Sequence, residues 1–365
     1  MNRHLKMVSI LVLTKYGRMG ASSRLRFLQY FPHLEQNSFR ITLQSLLSDE
    51  FLQVRYRRGS YGFACLLQAY ADRFSAMLRR NNFDAVWIEK EALPWAPLSV
   101  EQTLLSGVPY VLDYDDAVFH QYDQHPRAWV RCLYGKRLDG LMANAALVVG
   151  GNNYLAQRAR NAGAQWTEII PTVIDLNRYP CPSREPDTRK LPRIVWIGSP
   201  STARYLQLLC EPLVRLAKRQ SFVLRVIGAG VVDIPGVQIE VVTWSENTEV
   251  ESTGVCDVGV MPLEDSSWER GKCGYKLIQY MACGLPVVAS GVGVNSEIVQ
   301  HGVNGYLANT PDEWVDALEK LLIDQQLRVQ MGRAGRHMVE QVYCIQQTGP
   351  KMAGFLHVAA GRLGG

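Results

Sequence analysis

Three carboxylates stand close together in the first half of the chain. Asp113, Asp115 and Asp116 lie in the segment VLDYDDA, at the end of the apolar run 108–112. Strand alternation would place Asp113 and Asp115 on one side. Such a cluster can accept a proton, bind ligand hydroxyl groups, hold Mg²⁺ or Mn²⁺, or form a plain Asx-rich turn. We take Asp115 as the first catalytic candidate, with Asp116 and Asp113 beside it.

A second group of residues has the character of a phosphate-binding site. Gly291 and Gly293 follow an apolar run and precede a helix-like segment that starts near Ser296. Glycines let the backbone approach a diphosphate, and a helix N-terminus adds N–H donors and partial positive charge. This loop is therefore a candidate anion site, with an ordinary turn between strand and helix as the alternative.

Two lysines accompany another glycine turn. If a helix begins near Gly274, Lys272 and Lys276 lie four residues apart on one side of its first turn. Cations at a helix N-terminus are unfavourable by ~0.3–1 kcal/mol unless an anion compensates them. The arrangement favours an anionic ligand over two solvated charges at a helix end.

The elements that must position these residues alternate between strand and helix. In the first half we predict strands at 8–13, 84–88, 108–112, 146–149 and 168–171. A helix follows the first strand, capped by Ser22 or Ser23, and another spans 64–80. This alternation predicts a parallel sheet with right-handed crossovers.

The second half repeats the alternation after a charged, proline-rich segment at 175–192. We predict strands at 193–197, 222–227, 237–242, 255–261, 285–289 and 304–307, and helices at 203–218, 274–283, 311–323 and 324–340. The fold class is therefore α/β, with two doubly wound Rossmann-like domains. Because ligands bind at the carboxyl ends of such strands, we expect the two domains to face each other across a ligand-binding cleft.

The domain boundaries follow from the same pattern. We predict a first domain at 1–174, a linker at 175–192, a second domain at 193–344, and a C-terminal segment at 345–365 that packs back on the first domain. The run MVSILVL is interpreted as a first strand rather than a signal peptide, because it is short and Lys15 follows closely. No run of about 18 apolar residues predicts a membrane-spanning helix.

Composition excludes several classes. The eight cysteines form no CxxC pair, which argues against a zinc site, and the chain is too long to need a disulfide framework. We expect reduced thiols in a cytoplasmic protein. There is no GxxxxGK[ST] segment for a P-loop, and GAGVV at 228–232 lacks the full dinucleotide fingerprint. No nucleic-acid-binding motif accompanies the modest positive charge.

One longer segment carries a specific resemblance. Residues 272–307 read KCGYKLIQYMACGLPVVASGVGVNSEIVQHGVNGYL. This segment resembles the nucleotide-sugar site of the family 4 retaining glycosyltransferases, which have the GT-B fold. Weaker similarity extends through WIGSPSTARYL after the linker and EIIPTVIDLNRY before it.

The sequence departs from the family pattern at named positions. The two glutamates of the family's E-x7-E motif are replaced by Gly271 and Gln279, and Glu269 could substitute only if the loop is rearranged. Gln279 can still donate and accept hydrogen bonds to ribose hydroxyls. At the phosphate site, Ser199 stands at the family's Arg position and Arg204 at its Lys position.

The resemblance implies a set of site residues. Asp115 and Asp116 take the positions of a His-Asp pair near the transferred sugar. The donor-binding candidates are Gly20, Ser199, Arg204, Lys272, Gly274, Lys276, Gln279, Gly293, Val294 and Asn295. The acceptor-side candidates are Arg18, Arg24 and Lys90, and the segment Glu89–Glu91 is expected at the same edge.

The same resemblance implies the reaction. The expected activity is transfer of a hexose from a nucleoside diphosphate sugar to a hydroxyl of a glycan or lipid-linked acceptor, with retention, in surface polysaccharide or glycoconjugate synthesis. The family usually works without a metal, so we expect no cofactor beyond the donor. A nucleotide-sugar epimerase of the same fold and a non-catalytic GT-B binding or scaffold protein are the alternatives.

Charge is distributed unevenly between the two halves. Residues 1–180 carry 21 Lys and Arg against 15 Asp and Glu, a balance of +6, whereas residues 181–365 carry 18 against 19, a balance of −1. A basic acceptor-side half suits lipid-linked acceptors at an anionic cytoplasmic leaflet. We therefore expect a cytoplasmic protein with peripheral contact to the inner face of the plasma membrane.

Overall fold

Parallel β-strands form the centre of the fold. The structure, a computed structural model, describes residues 7–58, 62–180 and 191–361. Twelve strands occur in these ranges: β1 (Val8–Tyr16), β2 (Phe39–Leu47), β3 (Ala85–Glu89), β4 (Tyr110–Tyr114), β5 (Leu147–Gly150), β6 (Thr167–Ile169), β7 (Arg193–Ile197), β8 (Val223–Ile227), β9 (Gln238–Val242), β10 (Val258–Met261), β11 (Val287–Ala289) and β12 (Gly305–Leu307). Their pairings are parallel, as continuous apolar runs predict.

Helices follow most of the strands. In the first half they are α1 (Ala21–Arg26), α2 (Phe31–Gln36), α3 (Asp49–Arg58), α4 (Phe63–Leu78), α5 (Leu98–Leu105), α6 (His120–Asp123), α7 (Ala128–Tyr134), α8 (Arg137–Ala143) and α9 (Asn153–Asn161). In the second half they are α10 (Cys210–Ala217), α11 (Glu249–Gly254), α12 (Ser267–Arg270), α13 (Tyr275–Ala282), α14 (Asn295–Ile298), α15 (Pro311–Ile323), α16 (Gln325–Val342) and α17 (Ile345–Ala359). In the described parts of the chain, four 3-10 segments also occur: Leu28–Tyr30, Arg80–Asn82, Leu176–Arg178 and Pro200–Leu209.

The first compact unit comprises Met1–Thr172 and Ile345–Gly365. Its sheet has the order β2-β1-β3-β4-β5-β6, and the central strands are buried on both faces. Helix α17 completes this unit, although it comes last in the chain. The Thr348 hydroxyl lies 2.9 Å from the Tyr30 hydroxyl, and the His357 ring lies 3.0 Å from the Asn37 carbonyl.

The second compact unit comprises Val173–Cys344. Its sheet has the order β12-β11-β10-β7-β8-β9, which is the strand order of a doubly wound dinucleotide-binding fold. One hydrophobic cluster on this unit contains side chains of α13, and another contains side chains of α10 and α15. Helix α15 begins with a capping box between Thr310 and Glu313 and with Pro311 at its first position, so its N-terminus is fixed by local sequence.

Two local details differ from the sequence predictions. Strand β2 was not predicted, because its polar and apolar residues alternate as in an edge strand, and it pairs only with β1. Ser22 and Ser23 do not cap α1, whose N-cap is Gly20. The Ser23 hydroxyl instead accepts from the Tyr16 N–H at 3.1 Å and donates to Glu89 at 2.6 Å, so tertiary partners displaced the local cap.

Part of the predicted linker belongs to the second unit. Asp175 caps the 3-10 segment Leu176–Arg178, and Tyr179 is buried, with its hydroxyl accepting from Gln279 at 3.2 Å. Residues 181–190, which form most of the predicted linker, lie outside the described residues. Burial of the Tyr179 ring explains why the second unit includes the start of a segment whose composition suggests a linker.

Candidate functional site

Each sheet has one point at which the direction of strand addition reverses. β2 and β3 pair with opposite edges of β1, and β8 and β10 pair with opposite edges of β7. At such switch points, ligands bind outside the carboxyl ends of the strands. The loops after β1, β3 and β4, and those after β7, β10 and β11, are therefore the candidate ligand-binding parts of the two units.

The loop after β7 contains Ser199 and leads to Arg204. The Ser199 N–H donates to Thr202 Oγ1 at 3.1 Å, and the Ser199 hydroxyl lies 2.8 Å from Ser201 Oγ. The Arg204 side chain is 59% exposed, and its guanidinium lies 5.0 Å from the centre of the Tyr205 ring. This loop therefore offers one hydroxyl and one accessible guanidinium.

Glu269 on α12 anchors this arginine. The buried Glu269 carboxylate lies 3.2 Å from Arg204 Nη2 and also accepts from the hydroxyls of Tyr205 and Ser266. Burial opposes its charge, but the hydrogen bonds from Ser266 and Tyr205 outweigh this effect and lower the pKa of Glu269. Burial and the bond to Glu269 raise the pKa of Tyr205 to about 12. Glu269 thus holds Arg204 and Tyr205 in place, a different arrangement from the substitute donor contact that was considered from the sequence.

Lys272 and Lys276 flank Gly274, which precedes α13 with φ +64°. Lys272 Nζ lies 5.9 Å from the centre of the Tyr205 ring, and Lys276 Nζ lies 5.5 Å from the ring of Trp196. A Cβ at position 274 would contact a side chain of α14, and its left-handed backbone also favours glycine. The start of α13 therefore carries two half-buried cations, each close to an aromatic ring.

The glycine loop after β11 is tightly built. Gly293 has φ +54°, and a Cβ there would lie 3.0 Å from the backbone of Arg270. The Gly291 N–H donates to Asn309 Oδ1 at 2.9 Å. The following helix, α14, covers only Asn295–Ile298, so its dipole is that of a single turn. The helix predicted near Ser296 is therefore present as the short α14, and the approach of a diphosphate to this loop stays a prediction.

Three donor-site candidates lie below the surface. Val294 and Asn295 are buried, and Asn295 Nδ2 donates to the Ser290 carbonyl at 3.1 Å. Gln279 is buried beside Tyr179 through the hydrogen bond given above. These side chains shape the loop and α13 from within, rather than standing open at the surface.

In the first unit, the loop Gly17–Gly20 follows β1. Asp49 accepts hydrogen bonds from two successive N–H groups of this loop, at 3.1 and 2.9 Å. The buried Arg24 donates to the Arg18 carbonyl at 2.9 Å. A side chain at Gly20 would collide with the end of β1. The loop is therefore held in one conformation from both sides.

Lys90 and Asp115, which follow β3 and β4, form an ion pair at the carboxyl ends of the strands in the first unit. Lys90, which has φ +63°, places Nζ 2.7 Å from Asp115 Oδ1, 3.8 Å from Asp116 Oδ2 and 3.1 Å from the Ser22 hydroxyl. Burial disfavours the Lys90 charge, but Asp115 and Asp116 outweigh it and raise the pKa of Lys90. Burial likewise opposes the charge of Asp115, and Lys90 lowers its pKa. Asp115 is therefore an ionised hydrogen-bond acceptor at neutral pH.

Asp113 takes a different position from the one expected. It is fully buried in β4 and accepts from Arg26 Nε at 2.8 Å, while Arg26 Nη1 donates to the Ile170 carbonyl at 2.7 Å. Burial raises the pKa of Asp113 to about 6, although Arg26 acts in the opposite direction. Because β4 ends at Tyr114, strand alternation does not continue to Asp115, and the two carboxylates separate.

Two buried residues at the carboxyl ends of these strands were not identified as such from the sequence, namely Glu89 and Arg26. Glu89 is buried and accepts from the Lys15 N–H at 2.9 Å as well as from Ser23, which ties β3 to the loop after β1. Arg26 was not selected at all. Its signal was an arginine within the otherwise apolar stretch LRFLQYF, where a charge needs a buried partner.

Both ring nitrogens of His120, the histidine near the three carboxylates, have partners within the first unit. His120 Nδ1 lies 2.8 Å from Asp123 Oδ1, and its Nε2 lies 2.8 Å from the Tyr154 hydroxyl.

Among residues 7–58, 62–180 and 191–361, no group of three or more His, Cys, Asp or Glu side chains is arranged to hold a metal ion. Within the same ranges, no helix is long and apolar enough to cross a membrane.

Part of the second unit is similar to a known family. Residues 191–324 match the model of the family described as "Glycosyl transferases group 1". The chain is similar to D-inositol 3-phosphate glycosyltransferase of Paenarthrobacter aurescens (strain TC1), with 36% identity over 112 residues, 29% of this chain and 24% of that protein. It is also similar to a GDP-mannose-dependent alpha-(1-6)-phosphatidylinositol monomannoside mannosyltransferase of Mycobacterium tuberculosis (strain H37Rv), with 35% identity over 106 residues, 28% of each chain. The matches thus span about a quarter of these relatives' lengths.

Similarity to solved structures extends over the whole chain. Anabaena Alr3699/HepE, solved in complex with UDP-glucose, superimposes with a TM-score of 0.70 at 16% identity, covering 96% of this chain and 100% of that one. The chain therefore has the GT-B fold, and part of its second unit matches the group 1 glycosyltransferase model.

Proposed function

We propose that this protein is a retaining glycosyltransferase that moves a hexose from a nucleoside diphosphate sugar to a hydroxyl of a glycan or lipid-linked acceptor. Surface polysaccharide or glycoconjugate synthesis is the proposed setting. The main support is the concentration of Arg204, Lys272 and Lys276 around the switch point of a group 1 domain. A structural relative of the same fold is solved with UDP-glucose, which supports a nucleotide-sugar donor.

The cations supply the main catalytic contribution in this proposal. Departure of the nucleoside diphosphate concentrates negative charge on its terminal phosphate, and preorganised cations stabilise that charge. Arg204 is preorganised because Glu269 and Tyr205 fix it. The departing phosphate accepts the proton of the acceptor hydroxyl, and Asp115 orients hydroxyl groups as an ionised acceptor.

A non-catalytic binding protein is the second candidate. It is favoured by Gly271 and by Gln279, since neither carries the carboxylate of the family motif and Gln279 is buried against Tyr179. An epimerase of the same fold is a third, and it would convert the donor without any acceptor.

The test uses a panel of UDP-, GDP- and dTDP-sugars, with and without glycan or lipid acceptors. Release of nucleoside diphosphate together with a glycosylated acceptor supports the transferase, and an epimerised donor supports the epimerase. Donor binding without turnover supports the scaffold. Arg204→Ala and Lys276→Ala should each weaken donor affinity about tenfold by calorimetry, because each removes a charge-assisted phosphate contact. Arg219→Ala, which removes an exposed arginine paired with Glu319 at 2.8 Å, is the matched control.

Cytoplasmic location with peripheral membrane contact belongs to the same proposal. It is supported by the +6 balance of residues 1–180. Flotation with vesicles containing phosphatidylserine should recover the protein at low salt and lose it at high salt. Equal recovery with neutral vesicles would reject an electrostatic contact.

A further inference from the structure

The loop between β3 and α5 exposes a tryptophan in a strained conformation. Trp95 has φ +63°, in the left-handed region that bulky residues avoid, and it is 46% exposed. Lys90, five residues earlier, also has φ +63°. The loop follows the carboxyl end of β3, at the switch point of the first unit. Two such residues in one short segment indicate that the surrounding structure enforces this conformation.

Side chains from the surrounding helices hold the loop backbone at each residue from 92 to 95. The contacts are Ala92 N–H to Glu101 Oε1 at 2.6 Å, Arg73 Nη1 to the Ala92 carbonyl at 3.2 Å, Arg137 Nη2 to the Leu93 carbonyl at 2.7 Å, the Tyr70 hydroxyl to the Pro94 carbonyl at 2.9 Å, and Trp95 N–H to the Tyr122 hydroxyl at 3.3 Å. The loop is fixed by groups from four different helices.

The supporting groups include a buried ion cluster. Arg137 pairs with both Glu91 and Glu101, and the Tyr122 hydroxyl donates to Glu91 at 2.9 Å. Burying charges is costly, and such clusters are weak evidence of stabilisation. The conformation that this cluster maintains is that of Trp95, the large apolar side chain that the loop presents to solvent.

Three aromatic rings lie beside the half-exposed indole of Trp95 without stacking parallel to it. The rings of Tyr122, His125 and Tyr134 meet the indole at interplanar angles of 70°, 84° and 71°, with centroids 4.9, 6.1 and 5.9 Å away. None of these three rings stacks parallel to the indole. His125 and Tyr134 add polar atoms beside an apolar face, the combination that binds a ring with one apolar face and hydroxyl groups at its rim.

We infer that Trp95 is the stacking platform for a sugar ring of the acceptor, held in place by the Glu91–Arg137–Glu101 cluster. The inference rests on the proposed transferase function, and it favours a glycan as the acceptor. A pyranose ring presents C–H groups on one face, and these pack on an indole while the hydroxyl groups reach the polar rim. Arg137, Glu91 and Glu101 act as positioning residues, because they contact the loop rather than the ligand.

The first experiment needs no acceptor of known identity. The protein is labelled with 5-fluorotryptophan, and the ¹⁹F resonances of Trp95 and Trp129 are assigned with Trp95→Phe and Trp129→Phe. Methyl α-mannoside, methyl β-glucoside and N-acetylglucosamine are then titrated in. We expect the Trp95 resonance to shift with at least one glycoside and the Trp129 resonance to stay fixed. Trp129 is a matched control, since it is 58% exposed on α7 of the same unit. Indifference of Trp95, or equal shifts of both resonances, would overturn the inference.

The second experiment measures turnover with the acceptor found in the panel above. Trp95→Ala should raise the acceptor KM about tenfold, as truncation of an aromatic contact residue typically does, with donor KM unchanged. Trp95→Tyr should recover most of the affinity, and a shift in donor KM instead would contradict the assignment. If the wild type turns over no donor, the proposed function fails while the glycoside titration still decides the subsite. If it turns over donor and Trp95→Ala changes nothing, the subsite alone fails.

Discussion

The two switch-point edges of this molecule use charge in opposite ways. The first unit buries its charges in pairs, with Arg26 on Asp113 and Lys90 on Asp115. The second unit leaves Arg204 largely exposed and holds Lys272 and Lys276 half-buried near aromatic rings. Buried pairs fix a backbone in place, whereas accessible cations can meet an anionic ligand. The difference supports the proposal that the anionic donor binds at the second edge, although the first half of the chain carries the positive excess.

The largest expected effect tests the structural role of the buried pairs. Arg26→Leu should lower the free energy of unfolding by about 3–5 kcal/mol, because it leaves Asp113 buried without a partner. Arg204→Leu should change it by at most about 1 kcal/mol, since its bond to Glu269 is solvent-screened. Urea titrations of both variants provide the measurement. The double variant Arg26→Leu/Asp113→Leu should recover much of the loss, and equal effects of the two single variants would remove the contrast between the edges.

The next effect concerns the one carboxylate of the first edge that we assign to catalysis. Asp115→Asn should reduce kcat about a hundredfold with little change in donor affinity, because an ionised acceptor becomes a neutral amide. Steady-state kinetics and donor calorimetry measure the two quantities. Asp123→Asn is the control, since Asp123 pairs with His120 and Arg158 outside the proposed machinery. Unchanged turnover in Asp115→Asn would remove Asp115 from the catalytic machinery.

The buried carboxyl group of Glu101, which pairs with Arg137, should make the stability of the fold depend on pH. Burial raises the pKa of Glu101 from 4.5 to about 7, with Glu91 adding to the shift and Arg137 opposing it. The folded state therefore binds the proton more tightly than the unfolded chain, so this contribution to stability is lost as pH rises through about 7 and is regained toward pH 5. Between pH 5 and pH 8 the free energy of unfolding should therefore fall by on the order of 2–3 kcal/mol because of Glu101, and Glu101→Gln should remove this fall.

The control for this slope is an exposed carboxylate. Glu211→Gln removes an acid whose side chain is open to solvent and should leave the pH slope of the wild type intact. A Glu101→Gln protein with the wild-type slope would show that Glu101 stays ionised in the fold. Urea titrations at each pH supply both curves.

The smallest effect compares two glycines of the second unit. Gly302→Ala should cost about 1 kcal/mol, because its φ of +81° is strained for alanine although nothing lies within 4 Å of the new Cβ. Gly293→Ala should cost about 2 kcal/mol, since the same kind of strain is joined by contact with the Arg270 backbone. Thermal unfolding measures both, and equal losses would mean that the close approach at Gly293 relaxes freely.

Sequence reasoning succeeded where a pattern is local. The buried strands are continuous apolar runs, so β7 was predicted at 193–197 and observed at Arg193–Ile197. The turn before α13 was likewise readable, because Gly274 precedes an amphipathic stretch. Strand β2 was missed because an edge strand that alternates polar and apolar residues resembles a surface segment.

The candidate site was only partly readable, because a side chain's partner depends on tertiary contacts. Asp113 and Asp115 look equivalent in the sequence, yet one is fixed by Arg26, 87 residues away, and the other by Lys90. Glu269 was considered as a ligand contact, but it anchors Arg204 from 65 residues away. Trp95 could not be singled out at all, because its conformation is set by α4, α5, α6 and α8.

The sequence by itself determined the α/β class, the GT-B expectation and the segment 272–307 that carries the family resemblance. The class follows from hydrophobic periodicity, which the chain encodes locally, whereas the GT-B expectation follows from the resemblance of that segment to the family. Only the tertiary structure decided which charges are buried in pairs and which stay near the surface, and that Trp95 is exposed in the loop after β3. The physical reason is that the free energy of a charge depends on burial and on its partners, and both are set when distant segments pack together.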